Sequence, residues 1–494
     1  MRQAATKGII WSAAQRYGER AISFVVLLIL ARILTPTAFG LVALASVFIS
    51  FAQIFIDQGF GDAVVQALMI DQNLLNTAFW TNIITGFLIM LLSMVLSQAI
   101  AGFYGESQLS PIIRWLSVSF VFSALSSVQE ALLRRQLDFK KLAIRSLIAT
   151  IGSGLVAVFL AFLGGGVWSL VAKTVLYTLI GVLALWGISP WRPGFSFSWE
   201  CFSKLYAYGI SIVGAQFVDF FNRRADDLLI GFFLGATMLG YYSLAYSLLV
   251  TVTELLIVVP NAVVFPAFSR IRQDRELLRN SVYEATQIIS VITIPFFACL
   301  IILAPQLVQL LYGAQWLKSI RVVQVLMLVG IVHSAFFFFG SLLKAVGKPQ
   351  WRFVMLAVTA VLNVIGFAIT VRWGIVAVAV SYVCVGYLVA PLYLELVKRA
   401  VDLNIKVYLK QYAPALGCTV LMSLVVLTAR NAFVTQLESF LHLIMVILLG
   451  ISSYAFCLFL FARPVFYQAL NIAVQLMPAV PPFSSVISKL KRTI

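Results

Sequence analysis

Apolar runs separated by short polar breaks recur along the whole chain. A bilayer-spanning helix needs about 20 residues, each rising about 1.5 Å. By that measure the pattern predicts an all-α, polytopic membrane protein of about fourteen transmembrane helices. They fall at 9–31, 38–58, 76–101, 111–132, 143–163, 166–187, 206–232, 237–265, 283–311, 320–343, 352–372, 374–397, 409–429 and 440–462. Two stretches break the rhythm. Residues 188–205 hold Pro, Trp and Phe with few charges, which predicts a linker lying along the membrane interface. Residues 463–494 alternate apolar and polar positions and end in Lys489, Lys491 and Arg492. They predict a cytoplasmic amphipathic helix followed by a proline-rich segment from Pro478 to Pro482.

The pattern repeats. Residues Leu30–Ala45 (LARILTPTAFGLVALA) return, 200 positions on, as Ile230–Ala245 (IGFFLGATMLGYYSLA). Leu34, Thr37, Gly40, Leu44 and Ala45 recur as Leu234, Thr237, Gly240, Leu244 and Ala245, and Glu19 matches Asp219. Leu132-Leu133-Arg134 returns as Leu342-Leu343-Lys344, and Gly166-Val167 as Gly374-Ile375. A duplicated unit of about 200 residues is a common way to build a transporter. It predicts an N-lobe over 1–187 (helices one to six) and a C-lobe over 206–397 (helices seven to twelve), related by a pseudo-twofold axis. Helices thirteen and fourteen, within 398–462, stand outside the duplication.

Composition fixes the solvent. The 494 residues are 62% hydrophobic and 11% charged, against roughly a quarter charged in a soluble protein. The net charge of +17 would point to nucleic acid in a soluble chain. Here its placement explains it. With the N-terminus inside, the inner loops and termini hold 23 Lys and Arg and the outer loops 5, the bias expected of cytoplasmic loops. Both termini are therefore expected in the cytoplasm. The loop after helix two departs from the rule, with Asp62 and Asp71 and no basic residue.

The outer loops are too short for a folded domain, and no GxxxxGK[ST] phosphate loop is present. The five cysteines are scattered without a CxxC pair, and His333 and His442 lie far apart, so no cofactor or metal is expected. The N-terminal run contains Arg16, Glu19 and Arg20 and lacks a small-residue cleavage site. It is expected to be a retained helix rather than a signal peptide.

Seven basic residues fall within the spans: Arg16, Arg20, Arg114, Arg145, Lys173, Arg223 and Arg224. A charge at the bilayer centre costs about 2.5–3.5 kcal/mol on the gentlest scale, so such residues face a wet cavity or a partner. Snorkelling from a helix end is the alternative. It suits Arg114 and Arg145 better than Arg16, Arg20 and Arg223, which lie two or more turns in. Arg16, Glu19 and Arg20 stand at i, i+3 and i+4 on one face of helix one. Asp219, Arg223 and Asp226 stand at i, i+4 and i+7 on one face of helix seven. As repeat equivalents, these helices should oppose their charged faces across a cavity between the lobes. Local ion pairs that only neutralise each other remain the alternative.

Guanidinium forks suit phosphate oxygens, so the seven basic residues are candidates to bind an anionic substrate, phosphate or pyrophosphate. Glu19, Asp219, Asp226 and Glu254 are candidates to couple transport to H+ or Na+. Glu130, at the end of helix four, is a further carboxylate at depth.

Several phrases resemble the WzxC-type lipopolysaccharide and exopolysaccharide flippases of the multidrug/oligosaccharidyl-lipid/polysaccharide exporter superfamily. They include Ala31–Gln66, Ala131–Ser146 (ALLRRQLDFKKLAIRS), Ala225–Leu249, Phe265–Ile271 (FPAFSRI) and Leu303–Trp316 (LAPQLVQLLYGAQW). The resemblance covers roughly 5–400. It implies two six-helix lobes around a central cavity, in the bacterial inner membrane. It implies a non-enzymatic flippase that moves a polyprenyl-pyrophosphate-linked oligosaccharide to the periplasmic leaflet by alternating access. The expected partners are that lipid, the membrane lipids and a coupling ion. A cation-coupled multidrug exporter of the same superfamily is the first alternative. A membrane-embedded polysaccharide polymerase or glycosyltransferase is the second.

Overall fold

The computed structural model describes residues 2–56, 60–66, 71–432 and 439–476. Among them the regular elements are helical throughout. They are α1 (Arg2–Ile33), α2 (Pro36–Ile56), α3 (Phe60–Gln66), α4 (Gln72–Tyr104), α5 (Leu109–Ser117), α6 (Ser119–Arg135), α7 (Phe139–Phe162), α8 (Val167–Ile188) and α9 (Trp199–Thr253). There follow α10 (Val259–Arg270), α11 (Arg275–Leu311), α12 (Ser319–Ala345), α13 (Pro349–Thr370), α14 (Ile375–Val401), α15 (Ile405–Lys410), α16 (Ala413–Ala432), α17 (Ser439–Phe461) and α18 (Arg463–Leu476).

Among the described residues, 12 helical segments are long and apolar enough to cross a membrane. The difference from fourteen has two physical causes. Charges at Arg16, Glu19, Arg20 and Arg32 keep α1, a helix of 32 residues, below the apolar threshold. The expected spans 206–232 and 237–265 share α9, a run broken at Gly235, whose φ of 81° and ψ of 171° end one arm and start the next. Only glycine adopts that conformation readily. The second arm ends in a π-helical turn, Glu254–Val258, before α10 begins.

The chain clusters into two compact units. The first comprises Met1–Leu255, Leu311–Leu326 and Phe353–Gly386. At its heart α2 crosses the second arm of α9, and the contact is reciprocal. A Cβ at Gly40 would run into the carbonyl of Ala236, and one at Gly240 into the carbonyl of Pro36. Thr37 and Thr237 share a hydroxyl hydrogen bond of 2.8 Å. Leu30 and Ile230, and Ala45 and Ala245, are completely buried. Glycines let the backbones touch here, as small residues do where membrane helices cross.

The C-terminal carbonyls of α1, which have no partners within the helix, are capped from far along the chain. Gln315 Nε2 donates to Ala31 O at 2.6 Å and Leu34 O at 3.1 Å, and Trp316 Nε1 donates to Ala31 O at 2.7 Å. The GAQW phrase is thus an anchor for α1. The expected interfacial linker is tied to the start of α4. Asn76 bonds Ser196 and the Gly194 amide, and Trp80 Nε1 donates to Gly194 O. Phe195 and Trp199 project outward, 95% and 74% exposed.

The second unit comprises Leu256–Leu310, Met327–Arg352 and Tyr387–Ile494. Its core gathers Leu278, Val282, Phe339, Leu342, Tyr408 and Tyr412. Pro295 within α11 leaves the carbonyl four residues back, Val291 O, without its helical donor. Tyr454 Oη of α17 donates to that oxygen at 2.8 Å. Arg430 of α16 donates to Ile302 O at 2.9 Å. These two bonds fasten α16 and α17, the two helices expected to stand outside the repeat, onto α11. Of the expected tail helix, α18 is described. Pro478, Pro482, Lys489, Lys491 and Arg492 lie outside the described residues.

Candidate functional site

A polar cavity of about 350 Å³ opens inside the first unit. Arg20, Ser23, Phe24 and Leu27 line it from α1, Ala43 from α2, and Lys173 from α8. The first arm of α9 adds Arg223, Arg224 and Asp227, and the second arm adds Ser243, Tyr246, Ser247, Val250 and Thr251. Helical spacing explains the hydroxyl stripe: 243, 247 and 251 recur every four residues along one face. The Ser247 and Thr251 hydroxyls donate back to the carbonyls of Leu244 and Ser247, at 2.8 Å each.

Three of the four cations carry a carboxylate partner. Arg20 pairs with Glu254, which joins α1 to the end of the second arm, and Tyr17 Oη donates to Leu255 O beside it at 3.3 Å. Arg223 Nε lies 2.8 Å from Asp219 Oδ2, one turn back on the same helix. Arg224 Nη1 lies 3.0 Å from Asp227 Oδ2. No carboxylate pairs with Lys173 among the described residues. Four cations face three carboxylates, so one formal positive charge is left over. The Arg20 and Arg223 side chains keep 41% and 66% of their exposure. Arg223 lies 12 residues before Gly235, about 18 Å along a helix long and apolar enough to cross a membrane, so it is expected at depth in a hydrocarbon core of about 30 Å. An exposed guanidinium at such depth requires water around it.

The remaining candidates lie elsewhere. Asp226 is buried and turned toward the second arm, where Tyr242 Oη donates to it at 2.8 Å. Its neighbour Asp227, absent from the sequence-derived candidates, faces the cavity instead. Arg16 is exposed and Glu19 accepts from Gln15 at 3.3 Å; neither lines the cavity. Arg114 Nε donates to Ser97 Oγ at 2.9 Å, toward the other end of α4. The Arg-Arg-Ala-Asp-Asp run at 223–227 was the available signal for Asp227, since i, i+3 pairing joins it to Arg224.

Arg145 lines a second cavity, of about 400 Å³, together with Gln53, Asn82, Ser126, Ser127, Glu130, Arg134, Thr178 and Gln216. Glu130 bridges Arg134 at 2.6 Å and Arg145 at 3.8 Å. Asn82 Nδ2 donates to Ser127 Oγ at 2.6 Å. This polar cavity had no counterpart in the sequence reading.

A family model described as polysaccharide biosynthesis protein matches residues 29–321. The chain is 29% identical over 309 residues to the teichuronic acid biosynthesis protein TuaB of Bacillus subtilis (strain 168), an alignment spanning 61% of this chain and 63% of that protein. It is 27% identical over 380 residues to the succinoglycan biosynthesis transport protein ExoT of Rhizobium meliloti (strain 1021), spanning 77% of each. The fold is similar to that of the lipid II flippase MurJ in its inward closed conformation. The TM-score is 0.75 at 18% identity, over 92% of this chain and 99% of that one.

Proposed function

Because the chain belongs to the polysaccharide biosynthesis protein family, we propose that it is a flippase for a polyprenyl-pyrophosphate-linked oligosaccharide, a polysaccharide or O-antigen repeat unit. It carries this lipid from the cytoplasmic to the periplasmic leaflet of a bacterial inner membrane by alternating access, without catalysing a reaction. The observation behind this reading is the cavity's surplus charge: among the described residues Lys173 has no carboxylate partner, and it stands beside three arginines. Fork-shaped donors and one excess cation suit a diphosphate. The three carboxylates keep the attraction moderate, and a transported lipid must also leave. Arg20, Arg223, Arg224 and Lys173 hold the pyrophosphate; Glu254, Asp219 and Asp227 balance them and accept coupling protons.

The reciprocal Gly40–Ala236 and Gly240–Pro36 contacts support two lobes, 1–187 and 206–397, related by a pseudo-twofold axis. The loop charge bias supports cytoplasmic termini. A positive surplus is the wrong sign for an exporter of cationic drugs.

The test is lipid flipping by purified protein in proteoliposomes. Arg20→Ala and Arg223→Ala are expected to abolish flipping at unchanged protein abundance. Arg223→Lys is expected to keep part of it, since the charge survives and the fork does not. Wild-type flipping by both alanine variants would overturn the assignment.

A further inference from the structure

The second cavity is lined mainly by neutral hydrogen-bonding groups. Glu130 is set between Arg134 and Arg145, so the cavity's charges, one carboxylate against two guanidinium groups, are held in one ion-paired triad. What remains is a wall of amides and hydroxyls from Gln53, Asn82, Ser126, Ser127, Thr178 and Gln216. One acceptor is left over: Asn82 is 3% exposed, its Nδ2 is spent on Ser127, and its Oδ1 has no hydrogen-bond partner among the described residues. A buried amide oxygen without a donor is destabilising, a cost that a donor arriving with a ligand would remove.

The second cavity also stands in a fixed relation to the first, because three helices line both. On α8, Lys173 faces the first cavity and Thr178 the second. On α9 the pair is Arg223 and Gln216, and on α2 it is Ala43 and Gln53. At about 1.5 Å per residue, these separations run from about 7 to about 15 Å. On α2 and α8 the second cavity is C-terminal to the first; on α9 it is N-terminal. Helices that cross a membrane in alternating directions produce this order, and the expected topology puts the second cavity on the cytoplasmic side. The distance is that from a diphosphate to the one or two sugar rings attached to it.

We infer that the second cavity is the saccharide subsite, in which Asn82, Ser126 and Ser127 bind hydroxyls of the sugars next to the pyrophosphate. The inference rests on the flippase reading and adds the residues that select the glycan. A site that hydrogen-bonds hydroxyls discriminates strongly against ligands lacking them, so the second cavity would read the sugar and the first the phosphates.

The experiment measures binding of two lipids to protein in nanodiscs. One is polyprenyl pyrophosphate without sugar. The other is the native lipid-linked repeat unit, extracted from cells lacking the transporter. Asn82→Leu, and separately the double variant Ser126→Ala/Ser127→Ala, are expected to weaken repeat-unit binding at least tenfold and to leave the bare lipid within twofold. The retained bare-lipid affinity certifies the fold. Equal loss for both lipids would make these residues supports of the helix packing, and no loss for either would make this a water-filled space; each overturns the inference. If Arg20→Ala and Arg223→Ala bind both lipids like wild type, the pyrophosphate reading fails independently.

Discussion

The surplus charge of the first cavity can be moved in both directions by single substitutions, and the two shifts should have opposite sign. Lys173→Ala removes the unpaired cation and brings four cations against three carboxylates to three against three. Asp227→Asn keeps the shape of the side chain, whose exposure is 5%, and raises the surplus to two. One unit charge about 5 Å from another is worth about 3 kcal/mol at an effective dielectric of about 20. The exposure of Arg20 and Arg223 admits water, so roughly half of that survives, about 1.4 kcal/mol or tenfold in affinity. Lys173→Ala should weaken binding of polyprenyl pyrophosphate about tenfold. Asp227→Asn should tighten it about tenfold and slow flipping, because the lipid leaves less easily. Titration in nanodiscs at about 0.1 M and about 1 M salt supplies the control, since the Debye length falls from about 10 to about 3 Å and both effects should shrink. Affinities that move in the same direction, or that ignore salt, would refute the charge-balance argument.

Two further outcomes follow from the geometry. Gly240→Leu should lower the thermal unfolding midpoint, because the added side chain meets the Pro36 carbonyl and the helices must part, at about 1–3 kcal/mol. Gly102→Ala, where a Cβ meets nothing within 4 Å, is the control, and equal midpoints would refute the close-contact argument. Glu254→Gln breaks a partly exposed ion pair worth about 0–1 kcal/mol, so stability should hold while flipping loses its response to an imposed proton gradient; a wild-type response would remove Glu254 from coupling.

Much of the architecture was legible because membrane helices announce themselves by length and apolarity. The expected repeat matches Gly40 to Gly240 as equivalents, although it does not say that they meet. Average hydropathy alone scores α1 low for its charges and runs across the Gly235 turn, whereas the spacing of apolar runs and polar breaks separates 206–232 from 237–265, and the turn at Gly235 falls between them. The caps of α1 were illegible for another reason. Gln315 and Trp316 lie some 280 positions from Ala31, and a local pattern that marks the end of a helix does not say which distant side chain will supply the missing donor.

The site divides along the same line. Pairs within one turn, such as Asp219–Arg223, follow from helical spacing alone. Asp226 and Asp227 illustrate what spacing cannot decide. Spacing puts Asp226 on the Asp219–Arg223 face, at i+7 from Asp219, yet Asp226 is buried and Asp227 lines the cavity. The hairpin at Gly235 decides. Asp226 stands nine residues before that turn and Tyr242 seven after it, so the returning arm brings the phenol onto Asp226 and leaves Asp227 to Arg224. The same return carries Glu254 back to Arg20, 234 positions earlier in the chain. A carboxylate at depth could be recognised as significant from sequence, but its partner could not be named. The polar second cavity was less legible still, because Asn82, Ser126 and Gln216 each read alone as tolerated polar residues in an apolar helix. They line one cavity only because α4, α6 and α9 turn them onto one space, and no spacing rule marks that convergence.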